Sequence, residues 1–128
     1  LAIDVLQFTS LVLIADVKAI SSTVANGCGW AGEEYPIQIY ILYQDASDNQ
    51  KALAFVFYYD GGSCGHPEPY PSVTYVPVAV SQSQWLSFSS GNIKPIIPDA
   101  RVITRIWVFG SGWDYVGRAD NLQLVGTK

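Results

Sequence analysis

Apolar and polar residues alternate with a period of two along most of this chain, the pattern of half-buried β-strands. In two neighbouring segments, 37–44 and 51–59, the alternation is nearly unbroken, and the turn-forming segment 45–49 separates them. β-Branched and aromatic residues fill both segments, as is typical of strands, so we predict a β-hairpin here. The same pattern predicts further strands at 11–20, 73–80, 84–88, 102–109 and 118–125.

Helical patterns are missing from the sequence. The segment 92–100 comes closest to one, but Pro95 and Pro98 interrupt it. About eight short strands in a chain of 128 residues supply one hydrophobic core rather than two. We therefore predict an all-β fold, a single two-sheet antiparallel β-sandwich or jelly roll that spans residues 1–128.

Composition and charge narrow the classes of function. Charged residues make up 14% of the chain and aromatic residues 13%, which excludes intrinsic disorder. The net charge of −4 argues against nucleic acid or an anionic membrane as the main partner. The longest uncharged run near the N-terminus, residues 5–15, is too short to cross a bilayer. We expect no nucleic-acid partner and no membrane insertion.

Two cysteines, Cys28 and Cys64, both lie in glycine-rich segments. A disulfide between them would stabilise the fold by about 4 kcal/mol in the chain-entropy model, and we predict this bridge. It implies an oxidising compartment, and therefore an extracellular or cell-surface location. The alternative is two unrelated free cysteines. Because the chain begins at Leu1 rather than Met, we expect it to be excised or processed from a larger secreted protein.

The C-terminal segment 105–124 has a distinctive order of features. A strand leads through a glycine-rich turn into a last strand that contains Asp120-Asn121-Leu122-Gln123-Leu124. This segment resembles the end of jelly-roll carbohydrate-binding modules of the galactose-binding-like superfamily. The strand at 76–80 with the following turn and Trp85, and the hairpin 35–59, are similar to other strands of those modules. The resemblance implies a jelly-roll fold and a glycan or polysaccharide partner.

The same resemblance implies a metal site. Asp120 matches the position that helps to hold a structural calcium ion in those modules, and Asp16, Asp114 and Glu34 are candidate further ligands. Calcium takes six to eight oxygen ligands, which carboxylates and loop carbonyls supply. The alternative is that Asp120 only shapes the final strand. We expect no cofactor to be required beyond this structural calcium.

The predicted strands place flat and planar side chains on one face. If Ile37, Ile39 and Phe55 point to the core, the opposite face carries aromatic and hydrogen-bonding groups. Aromatic rings stack on the C–H faces of a sugar, and amide and guanidinium groups reach its hydroxyls, as ligand sites with a few fixed polar groups do. The alternative is that this face packs beneath a loop or a second sheet. The candidate ligand-binding residues are Gln38, Tyr40, Tyr58, Arg105 and Trp107.

A second candidate binding set lies in the predicted loops. Trp30, Trp113 and Tyr115 lie in or beside glycine-rich segments at what would be one end of a sandwich, where binding loops are common. The alternative is that Trp113 closes the open end of the core. We assign Trp85 to the core.

Catalytic signatures are weak. Glu33 and Glu34 are adjacent, so on an extended segment their carboxylates would point to opposite sides. His66 is the only histidine, and no G-x-S-x-G motif accompanies it. We predict a non-catalytic carbohydrate-binding module for a neutral glycan. The alternative is a self-assembling, adhesive cell-surface module, a homo-oligomer in which residues 1–8 add a strand to a neighbour's sheet. A glycoside hydrolase is the third hypothesis.

Overall fold

The computed structural model describes residues 2–22, 35–59, 70–111 and 114–128, and most of these residues lie in β-strands. A one-turn 3₁₀ helix, Val5–Gln7, joins the first two strands. Within the described ranges, no helix is long and apolar enough to cross a membrane. The predicted all-β class is confirmed. The strands are β1 (Ile3–Asp4), β2 (Ser10–Ser22), β3 (Tyr35–Asp45), β4 (Gln50–Tyr59), β5 (Val73–Val80), β6 (Leu86–Asn92), β7 (Ala100–Ser111) and β8 (Tyr115–Thr127).

The strands form the two sheets of a β-sandwich. One sheet has five strands in the order β1-β7-β3-β4-β5, and the other has three in the order β6-β2-β8. Neighbouring strands are antiparallel except for β4 and β5, which run parallel. This pair is the exception in sheets that are otherwise antiparallel, as the sequence predicts. A parallel pair needs a crossover connection, which a hairpin turn cannot provide. The jelly-roll connectivity stays a prediction.

The predicted hairpin is present as β3 and β4. Its register runs from Ile37 opposite Phe57 to Gln44 opposite Gln50. In the turn, the Asp45 carboxylate accepts hydrogen bonds from the backbone amides of Ser47 and Asn49, at 2.8 and 3.0 Å. A short acceptor side chain that bonds to its own turn is what favours aspartate here.

The core lies between the two sheets. Alternate residues of β2, β3 and β4 point into it and are almost completely buried. From β6, the ring of Phe88 packs against Phe55 and Phe57 with centroid distances of 5.2 and 5.1 Å. The turn after β6 adds Ile93 and Ile97, both fully buried, although prolines remove any regular period there.

A second, smaller hydrophobic cluster lies on the outer face of the five-stranded sheet. Tyr35, Ala54 and Val56 are buried in it. Partly buried neighbours complete the cluster, so this half of the outer face is occupied by packing rather than open to solvent. These neighbours are Tyr40, Tyr58, Val73 and Tyr75.

The N-terminal segment belongs to the fold itself. Ile3 of β1 pairs with Ile103 of β7, and Val5 is only 1% exposed in the core. The segment that we expected to add to a neighbour's sheet is therefore already paired within its own sheet.

Candidate functional site

The other half of that outer face carries an aromatic surface. Tyr40 of β3 lies directly opposite Trp107 of β7, and both point outward because Ile106, next to Trp107, packs against the core. Trp107 is 51% exposed. Phe109 lies between them, with its ring centroid 4.9 Å from that of Tyr40 and 5.7 Å from that of Trp107. We call Tyr40, Arg105, Trp107 and Phe109 the Trp107 face.

Arg105 supplies a planar polar group at this face. Its Cζ atom lies 5.6 Å from the centroid of the Trp107 ring, within the range of a cation–π contact. The side chain is exposed, so its N–H donors reach solvent. The contact with the indole restrains the guanidinium beside the ring.

A groove of about 210 Å³ runs beside the Trp107 face, with mostly apolar walls from β3, β4, β5 and β7. Gln50 and Ser72 are the polar residues of its lining, together with Lys51, whose side chain belongs to the core-facing row of β4. The ammonium of Lys51 lies 3.1 Å from the Asp45 carboxylate and also contacts Asp99. The hydrogen bonds to Asp99 and then Asp45 raise the pKa of Lys51 well above its usual range. Its positive charge is thus balanced within the protein.

Two of the predicted binding residues are part of the packing. Gln38 is only 4% exposed, and its side-chain amide donates a hydrogen bond to the Ser111 hydroxyl. Gln38 is therefore a buried structural group rather than a ligand contact, which corrects the sequence interpretation. Tyr58 packs beside Val56 in the smaller cluster. The alternation assigned both residues to the correct face but carried no information about what buries this half of it.

Tyr40 joins the buried and the exposed halves. Its hydroxyl donates a hydrogen bond to the Tyr75 hydroxyl at 3.3 Å. Burial, followed by this hydrogen bond, raises the pKa of Tyr40 well above its usual range. Burial likewise raises the pKa of Tyr35 to about 12. These phenols therefore stay neutral at physiological pH and add no charge to the face.

The predicted loop set is described only in part. Tyr115 is partly exposed at the start of β8, and its ring occupies the space where a side chain at Gly110 would lie. Several other candidate residues lie outside the residues that the structure describes, and the predictions for them stay predictions. They are Cys28, Cys64, Trp30, Trp113, Glu33, Glu34 and His66.

The assignment of Trp85 to the core is wrong. The residue is 51% exposed, because Leu86 and Phe88 take the inward positions of β6 and leave Trp85 and Ser87 on the outward row. With Asp16, Ser87 and Asp120 it lines a cavity of about 280 Å³ on the outer face of the three-stranded sheet. We call this the Trp85 cavity.

The two acidic residues of this cavity are cross-strand neighbours, with Asp16 of β2 directly opposite Asp120 of β8. One oxygen of Asp16 accepts a hydrogen bond from the Ser87 hydroxyl at 2.7 Å. The other accepts one from the Asn121 side-chain amide at 2.6 Å. The bond from Asn121, followed by that from Ser87, lowers the pKa of Asp16. Asp16 is therefore ionised at neutral pH and fixed in position.

The structure brings two of the predicted calcium ligands together but does not complete the ligand set. Asp16 and Asp120 do meet, yet Asp114 adds no third acidic ligand. In the described ranges, no three or more His, Cys, Asp or Glu side chains are grouped to hold a metal ion. Two carboxylates supply fewer oxygens than the six to eight that calcium takes. The described side chains alone therefore do not fit the ion.

Comparison of the chain with protein-family models, curated proteins and solved structures found no match. The resemblance to carbohydrate-binding modules therefore rests on the sequence motifs alone.

Proposed function

We propose that this protein is a non-catalytic carbohydrate-binding module that recognises a neutral glycan on the Trp107 face. The observation that carries the proposal is the half-exposed Trp107 directly opposite Tyr40. An indole ring held by its neighbours offers a large, flat contact area, and it loses little conformational entropy on binding. A pyranose ring presents a matching flat C–H surface.

The polar groups around the face suit hydroxyls. Arg105 donates from beside the indole, and Gln50 and Ser72 donate and accept along the groove. The ammonium of Lys51 is paired with Asp45 and Asp99, so its charge is balanced within the protein. An apolar groove with a few fixed polar groups is typical of small-ligand sites. The hydroxyl groups of a polyhydroxyl ligand match these donors and acceptors.

A binding role without hydrolysis is consistent with the electrostatics of the two opposed carboxylates. Most glycoside hydrolases use a pair of carboxyl groups, one of which has a raised pKa and acts as the general acid. Hydrogen bonds from Asn121 and Ser87 lower the pKa of Asp16, which is the opposite of what that role requires. Asp16 is thus suited to accepting hydrogen bonds rather than donating a proton.

The N-terminal segment that suggested the assembly hypothesis is paired within its own chain. β1 pairs with β7 of its own chain, and Val5 is buried in its own core. We therefore keep glycan binding as the proposed function. The extracellular or cell-surface location is proposed with it, on the basis of the Cys28 and Cys64 pair in the sequence.

Affinity electrophoresis against neutral polysaccharides of different sugars and linkages would find a ligand, and NMR would locate it. The indole N–H signal of Trp107, assigned by its absence in Trp107→Ala, should shift when the matching oligosaccharide is added. Loss of the indole in Trp107→Ala should weaken binding at this face about tenfold, or about 1.4 kcal/mol.

Leu6→Ala is the control, because Leu6 is an apolar side chain, 61% exposed, outside this face. It should bind like the wild type. If the Trp107 signal stays unchanged with every polysaccharide of the panel, or a folded Trp107→Ala variant binds with wild-type affinity at this face, the proposal is wrong.

A further inference from the structure

The Trp85 cavity lies on the opposite surface of the sandwich from the Trp107 face. Asp16, Ser87 and Asp120 point outward from the three-stranded sheet, since their neighbours on β2 and β6 pack into the core. Trp85 forms one wall of the cavity and is 51% exposed. A half-exposed tryptophan beside a concave, partly polar surface is not accounted for by packing, and the Trp107 face does not use it.

The polar side of the cavity is already hydrogen-bonded before any ligand binds. Both oxygens of Asp16 already accept hydrogen bonds, from the Ser87 hydroxyl and the Asn121 amide. Each carboxylate oxygen has two lone pairs, so Asp16 can still accept from a ligand. Asp120 accepts the Asn121 backbone amide at 2.7 Å through one of its oxygens. The two carboxylates thus form a fixed row of acceptors facing the indole.

The backbone that holds this row is itself unusual. β2 and β8 change register between Ile14 and Asp16, and on the β8 side Asn121 has a positive φ of 51°. A non-glycine residue at positive φ costs free energy, and β-bulges are often found where a strand re-aims a side chain. Here the bulge places the Asn121 amide 2.6 Å from the Asp16 carboxylate.

We propose that the Trp85 cavity is a second carbohydrate site that takes one sugar residue. The sugar stacks a C–H face on Trp85 and donates hydroxyl hydrogens to Asp16 and Asp120. The inference rests on the proposed function, because it takes the ligand to be carbohydrate. The volume of about 280 Å³ is small for a ligand pocket, which favours a single ring over a longer segment of the chain.

The charges around the cavity favour a neutral ligand over a free cation. Lys18 and Arg118 form the next outward-facing pair along β2 and β8, so two positive charges follow the two negative ones. Opposite charges this close reduce the net field at the surface, while leaving the carboxylates as hydrogen-bond acceptors. Hydroxyl groups need strong local acceptors and no net charge.

The test uses the indole N–H signals of the full chain in the presence of EDTA. Trp85→Ala and Trp107→Ala assign the two signals, and each variant is the matched control for the other site. With the neutral oligosaccharide selected by affinity electrophoresis, we expect both signals to shift, and the Trp85 signal to shift also in Trp107→Ala. Asp120→Asn keeps the side-chain shape, and should weaken binding at Trp85 about tenfold because a charge-assisted hydrogen bond is lost.

The outcomes separate this inference from the proposed function. If Trp107 shifts and Trp85 does not, the Trp107 face binds glycan and the second site is wrong. If Trp85 shifts and Trp107 does not, the cavity binds glycan and the Trp107 face is wrong. A Trp85 signal that responds to tetramethylammonium chloride but to no neutral sugar would overturn the inference, and so would unchanged affinity at Trp85 in Asp120→Asn.

Discussion

At Gly117, β8 lies close against β3 of the other sheet. A Cβ atom at this position would overlap the carbonyl oxygen of Pro36 and the side chain of Ile37. Gly117→Ala should therefore lower the free energy of unfolding by about 1–3 kcal/mol, because backbone must move to relieve the overlap. Urea denaturation measures the change. Val116→Ala, at an exposed neighbouring position, is the control, and its free energy of unfolding should stay within about 0.5 kcal/mol of the wild type. Equal losses of stability in the two variants would contradict the overlap at Gly117.

The lowered pKa of Asp45 predicts how the free energy of unfolding depends on pH. Its pKa is held well below the usual range, first by the Asn49 side-chain amide and then by the Ser47 backbone amide. A carboxyl group whose pKa is lowered by folding contributes stability above its unfolded pKa of about 3.9, and this contribution is lost as the pH falls through the folded value. Stability should therefore fall below about pH 4.

In Asp45→Asn, the free energy of unfolding should fall less steeply below about pH 4 than in the wild type. Urea denaturation at several pH values between neutral and strongly acidic measures this acid dependence. Asp48→Asn removes a negative charge from the same turn and leaves the Asp45 hydrogen bonds intact, so it is the matched control. If the free energy of unfolding falls equally steeply with acid in Asp45→Asn and the wild type, groups other than Asp45 dominate the acid dependence.

At the scale of elements, β1 and the 3₁₀ turn anchor the N-terminus to the core. Val5 is buried and its neighbour Leu6 is exposed, so the two form a matched pair. Val5→Ala should cost about 2 kcal/mol of unfolding free energy, from lost burial and a small cavity. Leu6→Ala should be near neutral. Similar midpoints and slopes for both variants in urea would mean that the segment is not docked as described.

The parts of the fold that the sequence predicts are those that depend on residues close together in the chain. The period of two identified β3 and β4, their inward rows and the turn at Asp45, because alternation and turn chemistry act over a few residues. It did not predict the pairing of β1 with β7 or the burial of Ile93 and Ile97. Those features depend on contacts between segments far apart in the chain.

In the candidate sites, too, the sequence predicts what depends on neighbouring residues and misses what depends on contacts between distant strands. Alternation placed Tyr40 and Trp107 on one outer face, but the burial of Gln38 depends on a cluster assembled from several strands. Trp85 was misassigned as core because tryptophan is usually well buried. The outward position of Trp85 could have been inferred from its alternation with Leu86 and Phe88, because the predicted strand 84–88 already contains all three residues.

At the scale of the whole molecule, the two proposed sites face away from each other across a sandwich about 10 Å thick between its sheets. One molecule should therefore bridge two chains of a polysaccharide, and the wild type should raise light scattering from a dilute polysaccharide solution. Trp85→Ala and Trp107→Ala should each bind without bridging. If both variants still bridge the polysaccharide, two-site binding is contradicted. Sedimentation of the protein without polysaccharide is the control for self-association.

The hydrogen bonds between Thr9 and Thr127 bring two distant parts of the chain together. The backbone amide and the hydroxyl of Thr9 both donate to the carbonyl of Thr127, at 2.7 and 3.0 Å. β2 and β8 are thus held together at the point where β2 begins and β8 ends, although 118 residues separate the two threonines. A cut or an insertion in the exposed turn at 45–49 would leave this closure and both strands intact.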